Sequence, residues 1–334
     1  MRALIFALAL LPLPALAQSP VFTQAVEAHI LPRMETLAAT GTALANAAQA
    51  DCHPTAPDLR AAFHAATDAW IAVSHLRFGP TEDQNRGFAL AFWPDTRGLT
   101  PRNLTALIDA QDPAGRDPAA YAEVSIAARG FYALEFLLYD PEITATGNAA
   151  YRCALVQTVS GDIAATTAAI ADDWQTRYAA LLLTAGQNDL YRSEDEALRT
   201  LFSALSTGLE FTADTRLGRP LGSFDRPRPT RAEMRRAGRS LRNVALSLGS
   251  LQDLALILAD DNTVLHDQLN AAFAATIARA NTLDDPTFAG TADPQTRIRI
   301  EALQQRIADI RNLVAQDLGP SLGVAAGFNS MDGD

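Results

Sequence analysis

The chain contains no lysine, and all 27 of its basic residues are arginines. A lysine amine forms Schiff bases with carbonyl substrates and serves as a general base where its pKa is lowered. The absence of lysine therefore excludes both kinds of chemistry. The 38 acidic residues give the chain a formal net charge of −11, which opposes nonspecific binding to nucleic acid or to anionic lipid.

Several catalytic and nucleotide-binding motifs are also missing. The sequence has no Gly-rich phosphate-binding loop, no Gly-x-Ser-x-Gly nucleophile turn and no His-Glu-x-x-His zinc-binding helix. The five histidines are scattered. His64 and His75 share one predicted helix but stand eleven positions apart, which is too far for one metal ion.

The first 17 residues have the pattern of an export signal. Arg2 precedes an apolar run at 3–13 that is too short to span a bilayer, and residues 15–17 form a small-x-small cleavage site. The alternative is a buried N-terminal helix. No later segment reads as apolar enough for a membrane span, so we expect a soluble mature chain, beginning at Gln18, in the periplasm.

Cysteine is rare, with only Cys52 and Cys153 present. In an exported protein two cysteines predict one structural disulfide. Two buried thiols are the alternative. A cysteine-based metal site would need further ligands nearby, and the sequence offers none that is obvious.

Apolar residues spaced by three or four positions, in segments poor in β-branched residues, predict helices throughout. The expected ranges are 24–50, 58–78, 117–139, 148–178, 194–211, 231–258, 263–281 and 294–318. Eight helices suffice for an all-α fold of two four-helix-bundle-like domains packed together. A short polar break at 185–189 divides the mature chain into an N-terminal bundle at 18–187 and a C-terminal bundle at 188–334.

Two groups of polar residues could serve either structure or a site. His75 and Arg77 stand in the last turn of the helix predicted at 58–78, where the helix dipole alone favours cations. Tyr132 and Glu135 lie three apart, on one helix face. Glu135 has apolar neighbours, so it belongs either to a thin polar stripe or to a buried pair with an arginine or a metal ion.

Besides a long loop at 79–101, the sequence has an arginine-rich segment at 216–242. Thr230 and Glu233 have the form of a capping box for the helix predicted at 231–258. Five arginines then fall on one predicted helical stripe, namely Arg228, Arg231, Arg235, Arg239 and Arg242. The stripe is either an interdomain salt-bridge network or an anion site in which guanidinium groups bind carboxylate or phosphate.

Six segments together resemble the imelysin family, which is also classed with the M75 peptidases and with iron-regulated periplasmic proteins. They are residues 69–80, 92–98, 130–140, 214–222, 240–243 and 327–334. These segments span nearly the whole mature chain. The resemblance implies two helical bundles with the site in the cleft between them, and a role in bacterial acquisition of iron or another metal.

One departure from the family pattern bears on the chemistry. The family signature is Gly-x-His-x-x-Glu; Gly130 and Glu135 match it, whereas Tyr132 replaces the histidine. A phenol with a pKa near 10 is a poorer ligand for most transition metals than an imidazole. The departure weighs against a metallopeptidase, which usually needs three protein ligands and an activated water.

The expected function is a non-catalytic binding component of iron or other metal acquisition. The alternatives are an M75-like metallopeptidase and a protein-interaction module of the cell envelope. Iron or another transition metal would be held by Glu135, Tyr132 and His75. The predicted cleft residues are His75, Arg77, Trp93, Asp95, Arg97, Tyr132, Arg216, Arg219, Arg239, Asn243, Asn329 and Asp332. Expected partners are a metal ion or small anionic ligand and another envelope protein of iron uptake, with no nucleic acid and no membrane span.

Overall fold

The computed structural model describes residues 20–324. The predicted export signal and two predicted cleft residues, Asn329 and Asp332, lie outside this range. Every regular element between residues 20 and 324 is a helix, and the sole sheet-type pairing in this range is an isolated bridge from Ser223 to Arg226. The all-α prediction is confirmed.

Nine helices of ten or more residues form the body of the described chain. They are α1 (Leu31–Ala50), α2 (Pro57–Val73), α3 (Leu99–Ala110), α4 (Gly130–Tyr139), α5 (Ala149–Asp173), α6 (Glu194–Glu210), α7 (Ser240–Leu258), α8 (Thr263–Asn281) and α9 (Pro294–Leu313).

Four of these helices continue through π-helical turns. Pro20–Gln24 and the π turn Ala25–Ile30 lead into α1, Trp174–Tyr178 and Ala179–Leu183 extend α5, Phe211–Leu217 and Gly218–Leu221 extend α6, and Val314–Leu318 extends α9. Such turns are frequent at functional sites. The turn after α6 carries side chains of the cleft described below, and the turn before α1 carries a histidine that lies beneath it.

The first helix group consists of α1, α2, α4 and α5. Helix α1 packs along both α5 and α2, and α4 packs on α5 and α2. Leu37, Phe63 and Val159 are fully buried between these helices. A disulfide joins Cys52, just after α1, to Cys153 in the first turns of α5, which confirms the predicted pairing.

The second helix group consists of α6, α7, α8 and α9. Helix α7 packs on α6 and α8, and α9 packs on α6 and α8. Helix α7 also packs against α2, so the two groups share one contiguous apolar core. The predicted boundary at 185–189 falls in the connection between Leu183 and Glu194 and stays a prediction.

The helix predicted at 117–139 is wrong in extent. It is divided into Pro118–Tyr121, a 3-10 turn at Ile126–Ala128 and α4, which begins at Gly130. Gly130 has a φ of +73° and approaches the backbone of Ala89 and Leu90 so closely that a Cβ atom would collide with it. The glycine is therefore needed where one helix ends and the next begins.

The helix predicted at 231–258 is also wrong in its first third. Residues 232–238 form a bend and turns, and α7 begins at Ser240. Met234 and Gly238 have positive φ angles, which a helix does not accommodate. The arginines of this segment consequently do not form one helical stripe, and Glu233 does not cap the helix.

Two smaller corrections concern the segment before α4. Helix α2 ends at Val73, so His75 and Arg77 follow the helix instead of standing in its last turn. The region treated as a loop, 79–101, contains short helical pieces, among them Arg86–Leu90, and leads into the unpredicted helix α3.

Two helical stretches, Ala149–Leu183 and Ser240–Leu258, are long and apolar enough to cross a membrane by length and composition alone. The expectation that no membrane span follows residue 17 stays a prediction. About half of the most apolar part of each stretch is buried inside the structure. Their apolar side chains, such as Ile163 and Leu251, lie in the shared core.

Candidate ligand-binding cleft

A cleft of about 670 Å³ lies between the two helix groups. The first group contributes Trp70 on α2, Tyr132 on α4 and the loop residue Trp93. Residues of α6, together with Phe211 in the following π turn, line the opposite wall. The cleft therefore depends on both halves of the chain.

Glu233 organises the floor of the cleft, where it is 1% exposed. Its Oε2 accepts hydrogen bonds from Arg216 Nε at 2.9 Å and from Asn243 Nδ2 at 3.0 Å. Its Oε1 accepts a 2.5 Å hydrogen bond from the Tyr132 hydroxyl. A buried carboxylate with a cation and two neutral donors has the compensation that a charge needs away from water.

The Arg216 guanidinium is equally well satisfied. Nη1 donates to Thr212 Oγ1 and Ser247 Oγ at 3.3 and 3.2 Å, and Nη2 donates to Ser74 Oγ at 3.1 Å. Ser74 belongs to the first helix group and Arg216 to the second. The buried network thus connects the two groups beneath the cleft.

Tyr132 is a neutral hydrogen-bond donor in this network. Burial first, and then the neighbouring Glu233 carboxylate, hold the pKa of Tyr132 well above its usual value. The Trp93 ring stacks on Tyr132 with centroids 6.1 Å apart and planes 6° from parallel. Phe211 meets Trp93 edge to face at 5.9 Å. These rings form an aromatic wall on a fixed base.

The mouth of the cleft carries charged and aromatic side chains. Arg77 forms an ion pair with Glu82, and its guanidinium lies 4.8 Å from the centre of the Phe88 ring. Phe88 is 47% exposed, which is unusual for a large apolar side chain. Arg199 on α6 is exposed and forms no ion pair within residues 20–324.

His75 lies at the floor, in contact with a second buried histidine. Its Nε2 is 3.0 Å from Nε2 of His29, which belongs to the π turn before α1. Burial first, and then the charges of Arg33 and Arg216, lower the pKa of His75 to about 3. Both imidazoles are therefore neutral at physiological pH, because burial lowers the pKa of His29 as well.

Glu135 is buried on α4 but does not line the cleft. Its Oε1 accepts a 3.1 Å hydrogen bond from the backbone N–H of Ala237, in the turn segment before α7. Burial raises the pKa of Glu135 to about 7, against the opposing effect of Arg236. The carboxyl group links α4 to the segment that also carries Glu233.

Four other predicted cleft residues do not line the cleft. Asn243 lies behind the floor, and Arg219 lies beside Trp93, 5.9 Å from its ring centre, without lining the cleft. Asp95 accepts hydrogen bonds from the backbone N–H groups of Thr100 at 2.8 Å and Arg97 at 3.2 Å, at the start of α3. Neither Asp95 nor the exposed Arg97 lines the cleft.

Part of the arginine-rich segment forms salt bridges between the helix groups. Arg239 and Arg242 both pair with Asp68 on α2, and Arg236 pairs with Asp140 at 2.6 Å. Arg239 also lies 2.9 Å from Nδ1 of His64. Three arginines earlier in the segment have no ion-pair partner in the part of the chain that the structure describes, namely Arg228, Arg231 and Arg235.

A second groove of about 690 Å³ contains none of the predicted site residues. Small and apolar residues of α7 and α8 line it, together with Arg33 and Arg242. The groove lacks a buried polar network like that of Glu233 and Arg216, so it is the weaker candidate for a specific site.

The family model for imelysin, Peptidase_M75, matches residues 30–314. The chain belongs to the imelysin family. An imelysin-like protein from Psychrobacter arcticum has a similar structure, with a TM-score of 0.77 at 22% identity, covering 92% of this chain and 96% of that one. A protein named "putative iron-regulated protein A precursor", from Parabacteroides distasonis, gives a TM-score of 0.74 at 16% identity, covering 93% and 98%.

At these identities the two structures show a common fold and nothing more specific. Among curated proteins, none matches the chain. The family assignment confirms the resemblance that the sequence segments indicated.

The residues predicted to hold a metal ion in this imelysin-family protein do not fit that role. Within residues 20–324, no group of three or more His, Cys, Asp or Glu side chains could hold an ion. The Tyr132 hydroxyl is bonded to Glu233, Nε2 of His75 contacts His29, and the Glu135 carboxyl accepts from Ala237.

Two important residues of the cleft were missed by sequence reasoning. Glu233 follows Thr230 in a capping-box pattern, so a local role was assigned to a side chain whose partners are distant. His29 stands in a helix of mostly small and apolar residues and gives no signal of its own. A buried polar residue in such a helix needs a partner, but the sequence does not name it.

Proposed function

We propose that this imelysin-family protein is a non-catalytic, periplasmic binding component of iron or other metal acquisition. In this proposal the cleft binds an organic anion that carries the metal, and does not bind the bare ion. The observation that carries the proposal is the composition of the cleft: aromatic walls and a surplus of arginine in a strongly acidic protein.

The aromatic surfaces favour an organic ligand. Trp93, Phe88 and Phe211 present rings to a space of about 670 Å³, which is ample for a drug-sized molecule. Because Trp93 is stacked on Tyr132, and Tyr132 is bonded to Glu233, the wall is held in place before a ligand arrives. Such preorganisation reduces the entropy lost on binding.

The charges favour an anion. Three arginines line the cleft, Arg77, Arg199 and Arg216, against two glutamates, Glu82 and Glu233. The lining is therefore net positive in a chain of net charge −11. Such an arrangement attracts small anions to the cleft.

The same charges oppose a bare cation. Arg216 lies on the floor beside His75, and the raised pKa of Tyr132 disfavours the phenolate that a ferric ion would need. A metal already wrapped in an anionic ligand avoids both problems. The link to iron rests on the family and on the similar protein from Parabacteroides distasonis, which is described as iron-regulated.

Two observations support the periplasm. Residues 1–17 have the composition of an export signal. The Cys52–Cys153 disulfide is typical of oxidising compartments and rare in the cytosol.

The test is ligand binding by the chain from Gln18, followed by tryptophan fluorescence and calorimetry. A ferric catechol complex, which is aromatic and anionic, should bind at one site, and ferric citrate should bind more weakly. Arg199→Gln should weaken the catecholate complex, whereas Phe224→Ala, an exposed aromatic outside the cleft, should not. Stoichiometric binding of ferrous ion alone, lost in Glu135→Ala, would overturn the proposal, as would the absence of any chelate binding.

A further inference from the structure

The two buried histidines beneath the cleft differ in the surroundings of their remaining ring nitrogens. Nδ1 of His29 is enclosed and has no hydrogen-bond partner among residues 20–324. Nδ1 of His75 also has no hydrogen-bond partner within residues 20–324, and His75, which is 4% exposed, lines the cleft. The shared contact is Nε2 to Nε2 at 3.0 Å, so one of these nitrogens donates and the other accepts.

The enclosed nitrogen of His29 decides which histidine donates. A neutral imidazole carries one proton, on either Nδ1 or Nε2. If His29 were protonated on Nδ1, an N–H group would be buried without an acceptor, which is rare and destabilising. With its proton on Nε2, His29 donates to His75, and only a lone pair remains enclosed.

The proton of His75 is then placed by elimination. Because Nε2 of His75 accepts the bond from His29, its own proton is on Nδ1. The lowered pKa values of both rings, caused first by burial, support two neutral imidazoles over an imidazolium. The close position of His75 depends on Gly208, since a Cβ atom there would lie 2.9 Å from the His75 Cβ.

The neighbouring donor groups at the floor are already hydrogen-bonded within the protein. Arg216 Nη2 donates to Ser74 Oγ, and Ser74 Oγ donates in turn to the backbone oxygen of Ile71. Tyr132 has no proton to spare for a ligand, since it donates to Glu233. His75 is thus a neutral side chain at the floor whose donor has no partner among the described residues.

We infer that His29 fixes His75 as the Nδ1–H tautomer, so that the cleft floor offers an N–H donor to an acceptor oxygen of the bound ligand. The ligand class is an oxygen-bearing anion, such as a carboxylate or a catecholate. The identity of the ligand rests on the proposed function, but the tautomer does not. His29 acts through His75 and is a positioning residue.

The first test needs no ligand. Nitrogen-15 NMR of the ring nitrogens, on the chain from Gln18 near neutral pH, should show His75 protonated on Nδ1 and His29 on Nε2. The reverse assignment, or a charged ring in either residue, would overturn the inference.

Variants test the role of His29 as a donor. In His29→Phe the ring of His75 loses the hydrogen bond that orients it, and affinity for the ferric catechol complex should fall by up to roughly tenfold, the effect of one hydrogen bond to an anion. His29→Gln, whose amide N–H can replace the imidazole donor, should restore affinity and keep His75 protonated on Nδ1. Circular dichroism establishes that each variant is folded.

The outcomes separate this inference from the proposed function. If the wild-type chain binds no chelate but shows the expected tautomers, the proposed function fails and the donor assignment stands. If the chelate binds the wild type and His29→Phe with equal affinity, the inference fails and the proposed function stands.

Discussion

The Tyr132 hydroxyl donates a 2.5 Å hydrogen bond to Glu233, a residue 101 positions further along the chain. Tyr132 lies on α4 in the first helix group, and Glu233 lies in the turn segment before α7 in the second. Both side chains are buried, at 5% and 1% exposure. The contact therefore stabilises the floor of the cleft. Tyr132, which stands where the family motif has a histidine, links the two halves of the chain.

Replacing Glu233 by alanine should lower the free energy of unfolding by about 3–5 kcal/mol. The substitution leaves the buried Arg216 cation without its counter-ion, and breaking a buried pair on one side is strongly destabilising. Urea unfolding followed by circular dichroism measures the change.

The matched control is Asp214→Ala, which removes an exposed partner of Arg311. A surface pair of this kind contributes at most about 1 kcal/mol. Equal losses in the two variants would contradict a stabilising role for the Glu233 network.

Glu135 should make stability depend on pH in an unusual direction. Its pKa is raised from 4.5 to about 7 in the folded chain. Between these values the folded state binds more protons than the unfolded state, so the free energy of unfolding falls as pH rises. The full effect is about 3 kcal/mol, complete above the folded-state pKa.

The comparison is with Glu135→Gln, which is neutral at every pH and keeps an acceptor for Ala237 N–H. Relative to this variant, the wild type should lose stability between about pH 5 and about pH 8. Glu142→Gln changes an exposed carboxyl group and should follow the wild type. Parallel curves for the wild type and Glu135→Gln would show that the buried carboxyl does not titrate in this range.

Removing the disulfide should destabilise the chain by about 2–5 kcal/mol, because Cys52 and Cys153 close a loop with a sequence separation of 101. The variant with both cysteines changed to serine should unfold at lower urea, and reductant should bring the wild type to the same midpoint. The double variant itself should not respond to reductant. If reductant, given access to the unfolded wild type, left its urea midpoint unchanged, the result would argue against the Cys52–Cys153 disulfide.

Asp68 should contribute more to the stability of the fold than Arg242, the exposed one of its two arginine partners. Asp68→Asn leaves Arg239, which is 1% exposed, without a counter-ion and should cost about 2–3 kcal/mol. Arg242→Ala removes an exposed partner of the same carboxylate and should cost about 1 kcal/mol or less. Urea midpoints compare the two, and the reverse order would assign the bridging role to Arg242.

Most of the fold could be predicted from local sequence patterns. The helix predicted at 263–281 agrees with α8 residue for residue, because its apolar spacing and end signals are local. The segment 232–239 was misjudged because its residue types permit a helix. Its actual shape depends on Glu233 reaching Arg216 and Tyr132, which no local pattern reports.

The site was harder to predict from the sequence, because it too depends on contacts between distant residues. His75 and Tyr132 were singled out by their local sequence positions, and Trp93 lies in one of the family segments; all three line one cleft. His29 contacts His75 across 46 positions, and a single sequence does not reveal such a pairing. Conversely, Asp95 was placed in the cleft although its hydrogen bonds are those of a helix cap.

The links beneath the cleft also set how it can move. Ser74 to Arg216 and Tyr132 to Glu233 join the two walls at their base, and Asp68 to Arg239 joins α2 to the start of α7. A hinge that opened the walls would have to break buried, charge-assisted bonds together. Ligand exchange should therefore leave the radius of gyration unchanged. Its rate should be set by rotation of two side chains at the mouth, Phe88 and Arg199, while the walls of the cleft stay in place.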